Sequence, residues 1–293
     1  MVMDLALTLP SFVAGTDRAM TLEWCRRIDD GPFSSIAVGE RTAFHSHEMV
    51  STLAFAAAAT ERVRIIATIA VLPTHDTVRI AKQAATIDVL SDGRFTLGVG
   101  VGGREQDYDA LSTPFRRRFE RLDEQVDQMK RIWLGEEVLD GVPAIGPAPV
   151  QQGGPPLWTA SMGPKSLARS AKWADGLAGF SLGPDADEVA GTFAAVRGAW
   201  SDAGRETKPF LTTSSWFALG PDAKKRLHKY ASEYLSTFGP KAAAAMADLC
   251  SLSDPGVLKE RMVALEAAGC QEFILVPTTN DPSEIDRLLD AVA

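Results

Sequence analysis

Two stretches of this chain carry residue types that could receive a flat ring or an anion. In the first, Gly98, Gly100, Gly102 and Gly103 fall where the strand-like run Phe95 to Val99 comes to its end, with Val101 between them. Glycine has no Cβ, so a strand end rich in it lets a planar ring or a phosphate approach the main chain. A tight turn asks for the same residue, and the spacing alone leaves both readings open. In the second, Thr159-Ala-Ser-Met-Gly-Pro-Lys-Ser166 sets small residues and a proline at the opening of a helix expected over Lys165 to Trp173. Free first-turn N–H groups and the helix dipole would favour a phosphate there, whereas Ser161 could equally serve only as a helix cap.

Ionisable candidates are few. The second strand ends in Val38-Gly39-Glu40-Arg41, and His75 follows Pro73 on a loop, so Glu40, Arg41 and His75 are the candidates for a direct part in the chemistry. Arg41 cannot act as a general base at ordinary pH, because a guanidinium stays protonated. Arg104 and Arg118 are further possible contacts to a phosphate or a substrate. His45 and His47 form an H-x-H pair, which raises the alternative of a metal hydrolase. The chain has only four histidines, however, and a zinc or binuclear site needs more ligands than they supply, so no metal is expected. Phe12, Phe44 and Tyr108, expected on loops after strands, and His45 are candidate walls of a substrate pocket. The three cysteines, Cys25, Cys250 and Cys270, are widely spaced with no C-x-x-C element, and read as reduced packing residues.

These residues need a scaffold that gathers distant loops. Strand-like runs recur at Met3 to Leu9, Ser35 to Val38, Val63 to Val71, Phe95 to Val99, Pro156 to Ala160, Gly176 to Phe180, Phe210 to Ala218 and Glu272 to Val276. Helical spacing separates them. Ile80, Ala84 and Ile87 repeat within Thr77 to Leu90, and Phe115, Phe119, Leu122, Val126, Met129 and Trp133 form a stripe over Pro114 to Trp133. Eight alternating units in 293 residues predict a closed (β/α)8 barrel of the TIM type, with an open doubly wound sheet as the other architecture. No composition break divides the chain, so residues 1–293 read as one domain. Irregular excursions are expected over Gly135 to Pro156, after the fourth helix, and over Ser236 to Ser253, near the seventh unit, where Lys241 to Met246 reads as a short extra helix.

Composition narrows the partners. With 45% hydrophobic and 23% charged residues the chain can bury a large core, and a net charge of -8 argues against nucleic acid. No apolar run approaches the roughly 18 to 20 residues needed to cross a bilayer, and the opening Met1 to Pro10 lacks the pattern of a leader. A cytoplasmic protein acting on a small molecule is expected.

The order of several motifs is more specific than any one of them. A-T-E-R-V-R from Ala59, the strand ending V-L-P at Pro73, the A-T-I-D-V-L-S-D-G-R block followed by L-G-V-G, R-L-D-E at Arg121 to Glu124 and W-A-D-G at Trp173 to Gly176 resemble the bacterial-luciferase-like flavin-dependent oxidoreductases, including their coenzyme F420-dependent members. The resemblance spans most of the chain. It implies an oxidoreductase that uses reduced FMN or the deazaflavin F420 for monooxygenation of, or hydride transfer to, a small organic substrate. It also implies a homodimer packed through early barrel helices.

The resemblance distributes roles along the strand ends. Thr68, Ile69 and Ala70 would support the cofactor ring, with a non-proline cis peptide at Ile69-Ala70. Gly98, Gly100, Val101 and Gly102 would lie beside it, Glu40 would contact the ring or its polyol, and Ser161, Met162, Gly163 and Ser166 would hold the phosphate. Two departures matter. Relatives usually follow the acid with histidine where this chain has Arg41, and the sugar-phosphate dehydrogenases of the group carry a glutamate proton donor near Gly103. Val101 replaces an arginine of FMN-binding luciferases, which favours F420 slightly over FMN. The competing readings are a phosphate-binding barrel isomerase or lyase without a redox cofactor, and a flavin-binding protein without catalysis.

Overall fold

The computed structural model describes residues 3–293. Eight parallel strands close a barrel in sequence order: β1 (Asp4–Thr8), β2 (Ser35–Val38), β3 (Arg64–Val71), β4 (Phe95–Gly100), β5 (Leu157–Thr159), β6 (Gly176–Ala178), β7 (Phe210–Phe217) and β8 (Glu272–Pro277), with β8 pairing back onto β1. All eight expected strands are present, within a few residues of the expected bounds. The closed sheet rules out the open alternative, and it satisfies every strand edge with a neighbour.

Helices run between the strands: α1 (Arg18–Asp30), α2 (Met49–Ala59), α3 (Thr77–Leu90), α4 (Glu105–Ala110), α5 (Arg118–Trp133), α6 (Pro164–Ser170), α7 (Ala186–Asp202), α8 (Ala223–Tyr234), α9 (Pro240–Ala247), α10 (Pro255–Ala267) and α11 (Ser283–Val292). Their starts follow capping chemistry. Asp17, Glu48 and Asp76 accept first-turn N–H groups of α1, α2 and α3. The α3 stripe buries Ile80, Ala84 and Ile87 as its spacing predicts. On α5 the stripe is shorter than expected: Leu122, Val126, Met129 and Trp133 are buried, Phe119 is exposed, and Phe115 precedes the helix, which begins only after Arg117 in the left-handed region. Residues 134–156 form no regular element, and α8, a 3-10 turn at Ser236–Phe238 and α9 fill the seventh unit, so both expected excursions are present.

Several motif residues hold the scaffold together. The Arg62 guanidinium donates to the carbonyls of Asp29, Gly31 and Phe33, and Arg94 donates to those of Ala57, Thr60, Val63 and Ser91. Each arginine saturates loop carbonyls that end helices at the N-terminal face of the barrel, where a planar fork reaches several acceptors at once. Asp123 accepts from Arg169 and from the Trp173 indole, tying α5 to the segment after β5. At the same N-terminal end, the fully buried Glu272 carboxylate accepts from Ser34 and Ser35 and pairs with Arg64.

Candidate active site at the barrel mouth

The C-terminal mouth is shaped by a break in the third strand. β3 pairs regularly with β4 up to Ala67↔Leu97, and pairing resumes at Ala70↔Val99, so three steps along β3 oppose two along β4. The extra residue makes a bulge. A cis peptide lies within it at Thr68-Ile69, one bond earlier than the expected Ile69-Ala70. The register explains the difference: Ala70 is already back in the ladder opposite Val99, so the irregularity falls on the two residues before it.

Two of the glycines beside the bulge, Gly98 and Gly100, are taken up by packing, whereas Gly102 lines the cavity above it. A Cβ on Gly98 would lie 2.4 Å from the Ala67 carbonyl oxygen and 3.2 Å from Ile69 Cγ2, and one on Gly100 would lie 2.8 Å from Ile69 Cδ1. Both glycines are buried. They make room for the bulged strand and its Ile69 side chain. Across the other edge, a Cβ on Gly39 would meet the Thr68 carbonyl oxygen at 2.9 Å. Gly102 has φ 60°, a conformation that favours glycine, and of the four strand-end glycines only Gly103 has open space around it.

Above this bulge lies a cavity of about 750 Å³, of the size that takes a cofactor with a substrate. Thr68, Ile69, Gly39, Glu40 and Thr8 line its base, and Phe12, Phe180, Trp216, Tyr230 and Tyr234 supply aromatic walls. The Glu40 carboxylate accepts the Val71 N–H at 2.6 Å and meets His75 Nε2 at 2.8 Å, so the acid is locked against the bulge. Burial opposes the charge on His75, but the Glu40 hydrogen bond and the charges of Glu40 and Glu48 outweigh it and raise the imidazole above its ordinary pKa. Gln125 donates to the His75 carbonyl at 2.8 Å, fixing the loop that carries it. Sequence positions 40 and 75 thus form one unit.

Other candidates sit differently. Arg41 is buried and does not reach the cavity; its Nη1 donates to the Tyr234 carbonyl and its guanidinium stacks 4.0 Å from the Phe44 ring centroid. Burial, then the neighbouring Arg104, lowers its pKa. Of the four candidate pocket residues only Phe12 lines the cavity. Phe44 and His45 stack on each other at 4.0 Å, with His45 Nε2 against the Phe12 carbonyl, and so buttress the Phe12 loop from outside. Tyr108 lies on α4 instead of a loop; its buried hydroxyl donates to the Val101 carbonyl, and burial pushes its pKa up to about 12. That bond occupies Val101 with a protein partner.

At the end of β5, Met162 is exposed and lines the cavity, while Ser161, Gly163 and Ser166 lie beside it without forming its wall. The Thr159 hydroxyl donates to Ser161 Oγ at 2.9 Å, and the Ser166 hydroxyl donates to the Gly163 carbonyl. Gly163 starts α6 with no side-chain cap, so no protein oxygen competes for the first-turn N–H groups from that position. Ala70, Gly98 and Gly100 stay in the barrel wall.

The family model of luciferase-like monooxygenases matches residues 3–290. The chain belongs to this family. Among curated relatives of the luciferase-like chain are an uncharacterized protein of Mycobacterium tuberculosis, 32% identical over 165 residues (54% of this chain, 57% of that protein), and the pyrimidine monooxygenase RutA of Yersinia enterocolitica, 31% identical over 186 residues (59% and 50%). The chain spans about half the length of the curated relatives it matches. Among solved structures, the monooxygenase RslO1 of Streptomyces bottropensis superposes with a TM-score of 0.78 at 20% identity, covering 99% of this chain and all of that one. An F420-dependent secondary alcohol dehydrogenase in complex with an F420-acetone adduct gives 0.76 at 19%, covering 100% of both. The oxygenating constituent of 3,6-diketocamphane monooxygenase from Pseudomonas putida, in complex with FMN, gives 0.74 at 15%, covering 99% of this chain and 96% of that one. At these identities the superpositions establish the luciferase-like fold.

Several wall residues of this luciferase-like cavity escaped sequence reasoning. Tyr230, Tyr234, Leu235, Met246 and Leu249 come from the excursion after β7, more than a hundred residues from the motif-rich strands. A usable signal was present: Leu227, Tyr230, Ala231 and Tyr234 repeat at three and four residues on an otherwise charged helix. Among the described residues no cluster of three or more metal-binding side chains occurs, and no helix is long and apolar enough to cross a membrane.

Proposed function

We propose that this protein is an oxidoreductase whose cavity seats a reduced flavin-type cofactor, F420 or FMN, and turns over a small organic substrate beside it. One observation carries the reading: the Thr68-Ile69 bulge and the Glu40–His75 pair converge on the base of one cavity at the catalytic face of the barrel. The residues present fit such a group. Thr8 Oγ1 at the cavity base is buried and has no hydrogen-bond partner, and the Gly163 end of α6 offers uncapped N–H groups to a phosphate. Thr68, Ile69 and Glu40 would hold the ring, and Ser161, Met162, Gly163 and Ser166 the phosphate.

When bound, the cofactor supplies the electron pair, delivered to dioxygen with FMN or to the substrate with F420. The chain's own work is positioning and proton control. The Glu40 carboxylate raises the His75 pKa, and the Val71 N–H holds that carboxylate in place. The aromatic walls give the space above Ile69 an apolar lining. The absence of an arginine at Val101 favours F420. A homodimer fits the outer helix α2, whose sequence Met49–Ala59 contains no charged residue although it lies on the outside of the barrel.

The test is the oxidation rate of reduced cofactor with and without protein: reduced FMN under air, and reduced F420 with a panel of ketone, enone and quinone acceptors. Oxidation faster than in free solution supports the enzyme. Rates equal to free solution for both cofactors would leave a binding protein without catalysis.

A further inference from the structure

We propose that Arg104, seated on the Tyr234 ring at the cavity wall, recognises a carboxylate on an otherwise apolar substrate. The inference rests on the cofactor-dependent reading and names the substrate class for the same site. Arg104 lines the cavity with its guanidinium 4.6 Å from the Tyr234 ring centroid. Its buried Nε has no hydrogen-bond partner, and it joins no ion pair among the described residues. A second guanidinium lies near the same ring: that of Arg41, nine-tenths buried, is 4.9 Å from the Tyr234 centroid, and its Nε is also without a partner.

Nearby negative charge does not balance the two. Asp107 acts on Arg41 and is held by the Ala43 N–H at 2.7 Å. The acids that line the cavity are engaged elsewhere: Glu40 by His75 and Val71, Asp185 by the first turn of α7 and Arg261, and Glu188 by the Ser181 hydroxyl. Arg104 is half-buried, its buried Nε lacks an acceptor that a ligand could bring, and a carboxylate matches the guanidinium fork with two parallel hydrogen bonds. Trp216, Tyr230, Met246 and Leu249 would then enclose the apolar body.

The cofactor phosphate is the other possible source of an anion. The Tyr234 platform speaks for the substrate, because its ring partners Phe12, Phe44 and Trp216 come from the ends of β1, β2 and β7, and none belongs to the β5–α6 turn of the phosphate seat.

The experiment measures binding by calorimetry to the cofactor-loaded protein, using 4-phenylbutyrate, 3-phenylpropionate and decanoate, each beside its primary amide. At least one carboxylate should bind tenfold or more tightly than its amide. Arg104→Gln should abolish that preference, and Arg104→Lys should keep part of it. No tenfold preference for any pair, including no binding at all, overturns the inference, as does a preference that survives in Arg104→Gln. In a parallel arm FMN is titrated beside riboflavin: if Arg104→Gln weakens FMN tenfold and riboflavin not at all, the cation belongs to the cofactor phosphate and the substrate assignment falls. Cofactor binding by the wild-type protein without any carboxylate preference sinks this inference alone, whereas loss of cofactor binding sinks the functional reading beneath it.

Discussion

Three glycine-to-alanine substitutions separate the packing role of the strand-end glycines from their expected ligand role. A Cβ on Gly98 would stand 2.4 Å from a backbone carbonyl oxygen. Ordinary contact begins near 3.4 Å, and the Ala67 oxygen belongs to a barrel strand that cannot turn aside. An overlap of about 1 Å against main chain should cost about 2 kcal/mol net, after the ~0.5 kcal/mol that alanine gains by restricting the unfolded chain. That lowers the melting temperature by roughly 5 °C for a chain of this size. Gly100→Ala meets the far end of a flexible side chain, Ile69 Cδ1 at 2.8 Å, so about 1 kcal/mol suffices. Ile69, however, lines the base of the cavity, and its displacement should weaken cofactor binding about tenfold. Gly103→Ala meets nothing within 4 Å and serves as the control. Thermal unfolding and cofactor titration of the three variants give the comparison. Equal stability of Gly98→Ala and Gly103→Ala, or wild-type cofactor affinity in Gly100→Ala, would refute the reasoning.

Further expectations follow from the same contacts. His75 has a pKa raised above 6.5 in the folded protein, so its pairing with Glu40 stabilises fully below about pH 6.5 and the contribution is lost as pH rises through the folded-state value. The stability gap between wild type and Glu40→Gln, about 1–3 kcal/mol at pH 6, should therefore narrow at pH 9 in urea titrations; a gap that widens with pH contradicts the pair. Arg94→Lys should lose roughly 3 kcal/mol, since one ammonium cannot reach the four carbonyls that the guanidinium satisfies, while cofactor affinity stays near wild type. Burial pushes Cys25 and Cys270 up to about 12 and Cys250 to about 11. Native protein at pH 8 should accordingly react slowly with Ellman's reagent, the half-buried Cys250 first, and rapid reaction at Cys25 would contradict its burial.

The barrel was legible because each of its units is local. Period-two or continuous apolar runs and three-to-four spacing are set within a dozen residues, and closure follows from repeating them eight times. The place of three cavity-lining residues was legible for the same reason: Thr68 and Ile69 sit in β3, and Glu40 two residues after β2, at positions the runs define. What failed was direction and distance. Gly98 and Gly100 announce an absent side chain but not which neighbour fills the gap, and here it is Ile69 of the adjoining strand. Tyr108 was expected on a loop; α4 turns its ring inward beneath Phe115, at 5.0 Å between centroids. The cluster of Arg41, Tyr234 and Arg104 joins the segments after β2 and β4 to the end of α8, and no window along the chain contains all three.

The most direct test of the cofactor seat is titration of the purified protein with F420 and with FMN, following the fluorescence of each ring. Saturable binding of at least one of them, weakened by substitution of Ile69 with aspartate under conditions where the fold is retained, is the predicted result. Negligible binding of both cofactors, oxidised and reduced alike, would contradict the account.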